Sequence, residues 1–448
     1  MVTQRIKEII VNLHQILEQQ KQSGSSLSGY IVGGFVRDLL LGRTSIDLDV
    51  MLLAESRLIA KLFADRFGGS FIVLDQVHDV YRVVFKQDGI VVDIVGAKGN
   101  TLEEDLQKRD FTINSLAINI SDFVELLHAW PLINRELLVP IIVDVVNGLN
   151  DLSEKTISSI CAESLSDDPL RILRGIRLAA RLGFCISKQT FLYMSQNISQ
   201  LQYVSYERIR EEVWSILTCL SAAEWISYMV WELPVLQQIA PALFAQVSKE
   251  DIENKLKVLA KIEEFMKIEE LAKIKQPTSA KTEVATRVQD YLSRMMTGGK
   301  SRYPLLKFAG LLIGLKRSDV RAIAAEWKLS RRETQLLSLW TAGFIEQQQD
   351  LFTLYEYYQE DALGMIILRH AVTASDAKRM DGAINEWFCY YDRVSSLPQL
   401  VTGTMIIDKL GIPPGKKIEE CLHIVRRAQF AGQLQSTQQA LDYVRKYM

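Results

Sequence analysis

Residues 29–50, GYIVGGFVRDLLLGRTSIDLDV, place two carboxylates side by side on one extended segment, just after a turn made of two glycines. The stretch reads as a short strand (Tyr30–Val32), the turn Gly33-Gly34, a helical segment carrying Arg37 and Asp38, a basic loop with Arg43, and a second strand holding Asp47 and Asp49. Side chains alternate along a strand, so Asp47 and Asp49 face one way while Leu48 and Val50 face the other. Neighbouring carboxylates repel, and a fold keeps them together cheaply only with a cation between them. Glycines let backbone N–H groups approach an anion, and the helix that follows offers its positive N-terminus. Arg37 and Arg43 are expected to bracket the anion. A phosphate cradle facing a divalent-cation site is the arrangement nucleotidyl transfer requires.

A third acid, Asp93, interrupts the apolar run VVDIV. It either completes a metal cluster with Asp47 and Asp49 or accepts a buried hydrogen bond. The run LEEDLQKRDFTINSLAI (102–118) opens as a mixed-charge helix face and continues into what reads as a buried turn, FTIN. Ser115–Ile120 is compatible with helix or strand. In DDPLRILRGIRLAARLGF (167–184), Asp168 before Pro169 makes a helix start. The helix then divides into an apolar stripe (Leu173, Ile176, Ala180, Gly183) and a basic one (Arg171, Arg174, Arg177, Arg181). Four arginines with no interleaved acid suit a polyphosphate or an RNA backbone. Downstream, Glu207, Arg208 and Glu212 in VSYERIREEV (204–213) fit bracing of that helix, and a plain helix start with Ser205 as N-cap accounts for them equally well.

These stretches resemble, in order and spacing, the motifs of the class II tRNA nucleotidyltransferases and the related bacterial poly(A) polymerases, within the DNA polymerase β-like superfamily. The resemblance is detailed over residues 28–215, faint beyond, and returns in LGIPPGKKIEECL near the end. It implies an α+β fold in which a small mixed-sheet nucleotidyltransferase head precedes an elongated all-α neck, body and tail. The expected boundaries are 1–27 for an N-terminal helix packed on the head, 28–152 for the head, 153–265 for the neck, 266–390 for the body and 391–448 for the tail. The polar stretch Gln276–Thr286 is the best internal linker candidate.

The resemblance further implies that Asp47 and Asp49 are catalytic and hold Mg2+, with Asp93 a candidate third ligand. It implies that Gly33, Gly34, Arg37 and Arg109 hold the triphosphate, that Asp110 meets the ribose hydroxyl and that Asn114 orients the turn. Asp167, Asp168 and Arg171 would read the base edge, with Arg174 and Arg177 in support. Two departures stand out. Lys108 replaces the usual arginine and loses its bidentate fork. Asp167 stands where the family has glutamate, one methylene shorter. Lys416, Lys417, Arg426 and Arg427 are candidates for RNA contact, and a solvated helix face accounts for them equally well.

The implied activity is addition of C residues from CTP to the tRNA 3′ end. The connection IVGAKGNT after Asp93 is short where many CCA-adding members carry a longer charged loop, which points to CC addition with a separate A-adding enzyme acting next. Full CCA addition using ATP as well, A addition, and poly(A) synthesis remain open, as does a catalytically silent RNA-binding protein. A net charge of −2 gives no global basic field, so RNA binding must rest on local patches. Five scattered cysteines without a CxxC pair fit reduced thiols in a cytoplasmic protein, and histidines at ligand spacing for zinc are lacking. No apolar run is long enough to span a membrane.

Overall fold

The computed structural model describes residues 3–22, 27–53, 56–99, 101–129, 132–244, 247–275, 280–296, 300–342, 350–373 and 377–447. It divides into two units, Met1–Cys219 with Tyr228–Ile239, and Leu220–Ser227 with Ala240–Met448.

The first unit holds a seven-stranded sheet. Its strands are β1 (Gly29–Val32), β2 (Asp47–Leu52), β3 (Ser70–Asp75), β4 (Val80–Phe85), β5 (Ile90–Gly96), β6 (Leu116–Asn119) and β7 (Ile142–Asp144), in the order β3-β4-β5-β2-β1-β6-β7. Only β2 and β5 run parallel; every other neighbouring pair is antiparallel. The sheet is therefore mixed, as expected, and the open choice at Ser115–Ile120 is settled as strand β6.

Helix α1 (Gln4–Gln22) buries Ile6, Ile9, Ile10, Leu13, Ile16 and Leu17 along one stripe. Burying such side chains contributes about 1.5–3 kcal/mol each. Gly29 at the start of β1 accepts the close approach of Leu17. The helix ends at Gln22, and residues 23–26 lie outside the described residues. Helix α2 (Gly34–Leu40) follows the glycine turn, α3 (Ser56–Phe67) packs on β4, and α4 (Leu102–Gln107) follows β5. The arginine helix, Leu170–Leu182, ends at Gly183 in the left-handed conformation. Gly183 is an exposed cap, so it does not belong to the buried stripe. Helix Tyr206–Leu217 packs alongside.

The second unit is helical. Lys249–Lys275, Ala280–Ser293, Arg302–Leu311, Arg331–Ala342 and Ala362–Val372 surround Trp327, Trp340 and Phe308, all fully buried. The Lys307 ammonium meets the Glu263 carboxylate at 2.8 Å, and both side chains are buried. Glu263 Oε1 also accepts from the Ala223 N–H at 3.0 Å. A last cluster, with Ile406, Val425, Leu441 and Val444 at its centre, joins Gly403–Leu410, Lys416–Phe430 and Thr437–Tyr447.

The linker expectation needs correction. Residues 276–279 lie outside the described residues, but Ala280–Thr286 is helical and opens Ala280–Ser293. Helices Lys249–Lys275 and Ala377–Ser395 run through the expected 265/266 and 390/391 boundaries. Helices Lys188–Asn197, Leu351–Tyr358 and Gly403–Leu410 open at side-chain caps, Ser187, Asp350 and Thr402, within the stretch expected to be helical. Among the described residues no helix is long and apolar enough to cross a membrane.

Candidate active site

A cavity of about 790 Å³ opens on the first unit, with Gly33, Gly34, Arg37, Asp47, Asp49, Asp93, Arg109, Asp110, Asn114, Asp168, Arg171, Arg174 and Arg177 in its wall. Residues spread over 145 positions of sequence thus meet at one place because the β1–α2 turn, the ends of β2 and β5, the turn after α4 and the arginine helix all point into it.

On β2, Leu48 and Val50 are buried in the sheet's core face while Asp47 and Asp49 lie on the other, as the period of two requires. Burial raises the Asp49 carboxyl to about 6; Asp93 adds to the rise, and Arg109 and Arg174 oppose it. Asp93 is the registered neighbour of Asp49 across the parallel β2–β5 pair. Both its oxygens are taken by Arg82 of β4, Nε to Oδ1 at 2.7 Å and Nη2 to Oδ2 at 2.8 Å. Of the two roles open to Asp93, this structure shows the hydrogen-bonded one. Among the described residues no group of three or more His, Cys, Asp or Glu is arranged to hold a metal ion.

Gly33 has φ 75°, and a Cβ there would stand 3.0 Å from Asp49 Oδ2 and 3.3 Å from Arg109 Nη1. Both the left-handed backbone and the close approach require glycine. Arg37 is buried. It donates to Asp38 Oδ1 from Nε at 2.9 Å and to Asn114 Oδ1 from Nη1 at 2.7 Å. Burial pulls its guanidinium below the ordinary value, and Asp38 offsets part of that. Arg43 is exposed, donates to the Arg181 carbonyl at 3.4 Å, and is outside the cavity wall. Arg181 lines the cavity instead, so the expected Arg37–Arg43 bracket is not formed.

The charges of α4 sort themselves by depth. Glu103 and Glu104 are exposed, but Asp105 is buried and holds Arg109 through Nε at 3.0 Å and Nη2 at 2.9 Å. Its other oxygen accepts from the Lys98 N–H at 3.0 Å. Asp110 is also buried. Oδ1 accepts from the Phe111 N–H at 2.8 Å and Asn114 Nδ2 at 3.1 Å, and Oδ2 meets Arg174 Nε. Burial pushes the Asp110 carboxyl up, but Arg174, Asn114 and the Phe111 N–H outweigh it and hold the carboxyl below the usual range. Asn114 thus links Asp110 to Arg37.

The arginine helix comes close to the head because residue 175 is glycine: a Cβ would stand 2.5 Å from Met194 Cε and 2.8 Å from Phe111 Cζ. Arg177 pairs with Glu212, and Asp168 pairs with Arg208 at 2.8 Å while its Oδ1 accepts from the Leu170 N–H at 3.3 Å. Arg171 Nη1 donates to the carbonyls of Ser164 at 3.1 Å and Arg109 at 3.4 Å. Asp167 is exposed and outside the wall. Lys108 is exposed too. In the tail, Arg426 pairs with Glu356 and Arg427 with Asp350, whereas Lys416 and Lys417 are exposed. The sequence reading missed Arg82 and Asp105 at this site, while Arg181 of the basic stripe and Arg208 of the bracing segment both reach the wall; the alternation Tyr81-Arg82-Val83 on a strand two places from Asp49 is the one signal that could have found Arg82.

Three family models match the chain: the poly A polymerase head domain over residues 29–158, a probable RNA- and SrmB-binding site of polymerase A over 183–246, and a putative tRNA nucleotidyltransferase domain 2 over 306–444. The chain belongs to the tRNA nucleotidyltransferase and poly(A) polymerase family. Relatives align along nearly its whole length. The CC-adding tRNA nucleotidyltransferase of Geobacter sulfurreducens is 28% identical over 93% of this chain and 91% of its own. The CCA-adding enzyme of Streptococcus mutans is 32% identical over 50% of this chain and 55% of its own. The fold is that of the Bacillus stearothermophilus CCA-adding enzyme in complex with CTP (TM-score 0.69, 21% identity, 98% of this chain and 97% of that one). It is also that of the Thermotoga maritima CCA-adding enzyme complexed with tRNA (TM-score 0.66, 20% identity, 99% and 96%). As a nucleotidyltransferase of this family the chain is an enzyme, and the cavity just described is its candidate active site.

Proposed function

We propose that the protein adds two C residues from CTP to the 3′ end of tRNA and releases pyrophosphate. The observation that carries the chemistry is the meeting, in one cavity, of the Asp47/Asp49 pair, the Gly33 turn and the acid–arginine start of the helix at 168–171. Asp49 tests the fit of a cation: its carboxyl is lifted to about 6 by burial and a neighbouring acid, a strain that a divalent ion beside it would relieve. Asp47 and Asp49 would hold Mg2+, which when bound supplies acidification of the primer hydroxyl and neutralisation of the α-phosphate. Arg109, fixed by buried Asp105, and the N–H groups of the Gly33-Gly34 turn hold the triphosphate. Arg37 is spent on Asp38 and Asn114 and acts by keeping that turn in place.

Asp110 keeps one acceptor direction on Oδ2 beside Arg174, where a ribose 2′-hydroxyl can donate. Asp168 accepts from a base amino group and Arg171 donates to a ring nitrogen. Cytosine offers that pair of groups, whereas uracil reverses it and leaves buried groups unpaired at a cost of about 1–3 kcal/mol each. Asp167, being exposed, takes no part in the base edge. The tail lysines Lys416 and Lys417 contact the tRNA backbone.

Adenine presents the same amino-beside-acceptor edge as cytosine, which favours full CCA addition from CTP and ATP as the second reading. The small sequence separation between the end of β5 at Gly96 and the start of α4 at Leu102 supports stopping at CC and leaving A to a separate enzyme. The full-length protein, given tRNAs trimmed to successive 3′ ends and one nucleotide at a time, should add C twice and leave a CC end unextended by ATP. Efficient A addition to that end would replace the CC reading with CCA, and no addition at all would remove both.

A further inference from the structure

Arg82, Asp93 and Asp49 form a row across three adjacent strands. Arg82 on β4 is the registered partner of Asp93 on β5, and Asp93 is the registered partner of Asp49 on β2. Registered residues share a sheet face, so the row lies on the face that also carries Asp47, and all four residues line the cavity. Three carboxylates so placed would repel one another. The protein supplies its own cation to the outermost: the guanidinium fork of Arg82 takes both oxygens of Asp93, at 2.7 and 2.8 Å. Arg82 is not a packing residue, since its side chain is 38% exposed. For Asp93 to reach an ion beside Asp49, this two-point contact would have to open.

We propose that Arg82 is a positioning residue that keeps Asp93 out of the cation's ligand set, so that the ion is held by Asp47 and Asp49 alone. The inference rests on the metal reading of that pair. A hard divalent ion bound through two carboxylates keeps its remaining positions for water and phosphate oxygens, and a third carboxylate would occupy one of them and bind the ion more tightly.

The test is Mn2+ binding to the full-length protein without substrate, read as free Mn2+ by electron paramagnetic resonance. Arg82→Gln frees Asp93 and should tighten Mn2+ binding by about tenfold. The charge-balanced double variant Arg82→Gln/Asp93→Asn should stay within about threefold of the unaltered protein, because neither residue is a ligand. Asp47→Asn should lose binding. Unchanged or weaker binding by Arg82→Gln, or a loss of tenfold or more in the double variant, overturns the role of Arg82 while leaving the Asp47/Asp49 site standing. Undiminished binding by Asp47→Asn overturns the metal reading itself, and the Arg82 proposal with it.

Discussion

The Arg174 guanidinium grips the buried Asp110 carboxylate, tying the arginine helix to the turn that follows α4. Removing the cation leaves a buried carboxylate held by Asn114 and one backbone N–H, with the Arg171 charge nearby. Arg174→Met should therefore destabilise the protein by about 2 kcal/mol at neutral pH, discounted for the half-exposed arginine. The sign with pH follows from the carboxyl's depressed value. In the unaltered protein its contribution is present above the ordinary carboxylate range and is lost as pH falls through the lower folded value. In the variant, burial is no longer outweighed, so the carboxyl protonates earlier. Urea unfolding should show the gap between the two proteins narrowing as pH is lowered toward about 4.

Asp49 has the opposite sign. Its folded value of about 6 lies above that of an unfolded chain. The stability it contributes is fully present below the unfolded value and is lost as pH rises through about 6. Without divalent cation, Asp49→Asn should stabilise the protein at neutral pH by about 1–2 kcal/mol, reduced for partial exposure, and by much less near pH 4. The same variant should have no nucleotidyl transfer activity. Equal destabilisation at both pH values would mean that Asp49 is not strained.

How much of this site could be read from residue order depends on what fixes each group. Asp47 and Asp49 were legible because a strand's period of two settles their facing locally. Arg174 and Arg177 were legible as a helical stripe. Asp105 was not: Glu103, Glu104 and Asp105 look alike in a charge run, and only the packing of α4 buries the third. The Arg82 partner of Asp93 came into view only with the pairing of β4 and β5, which brings the two alongside. Arg43 misled because a basic residue in a loop has no periodicity to aim it. The Ala280–Ser293 helix was hidden by Pro277 and a polar start, where tertiary packing overrides weak local preference.

Gly175→Ala tests the close approach of the arginine helix to the head. Met194 can swing away from the added methyl, but the Phe111 ring is fully buried. The expected cost is about 1–3 kcal/mol in unfolding free energy. Because the shift moves Asp168 and Arg171 relative to Asp47 and Asp49, KM for CTP should rise more than kcat falls. A fall in stability with unchanged KM would show that the helix absorbs the methyl without moving the cavity wall.

In the tail, the four basic candidates divide by their partners. Arg426 and Arg427 are already paired with Glu356 and Asp350. Lys416 and Lys417 lie exposed at the start of their helix. Lys416→Ala/Lys417→Ala should weaken tRNA binding by about tenfold at low salt and flatten the plot of log affinity against log salt by up to about two contacts' worth. Arg426→Ala should leave the salt slope nearly unchanged. The reverse ranking, measured by filter binding at several salt concentrations, would move the RNA contact to the arginines.

The Lys307–Glu263 pair separates a charge needed for folding from one needed for chemistry. Neither residue belongs to the cavity wall, and both are buried in the helical unit. Two charges removed from water meet at 2.8 Å, and the Ala223 N–H also donates to the carboxylate. Lys307→Met would leave the Glu263 charge uncompensated and should cost about 3–5 kcal/mol. Replacing both, Lys307→Met/Glu263→Gln, removes the stranded charge, and Gln can still accept from the Ala223 N–H. The double variant should recover most of that loss, giving a coupling energy of about 2–3 kcal/mol in a double-mutant cycle. At temperatures where each variant is folded, kcat for C addition should not change, because the pair stabilises its own unit and touches neither nucleotide nor cation. Additive losses would instead mean that the two charges are uncoupled, the Lys307 ammonium being held by the Tyr303 ring, whose centroid lies 4.3 Å away.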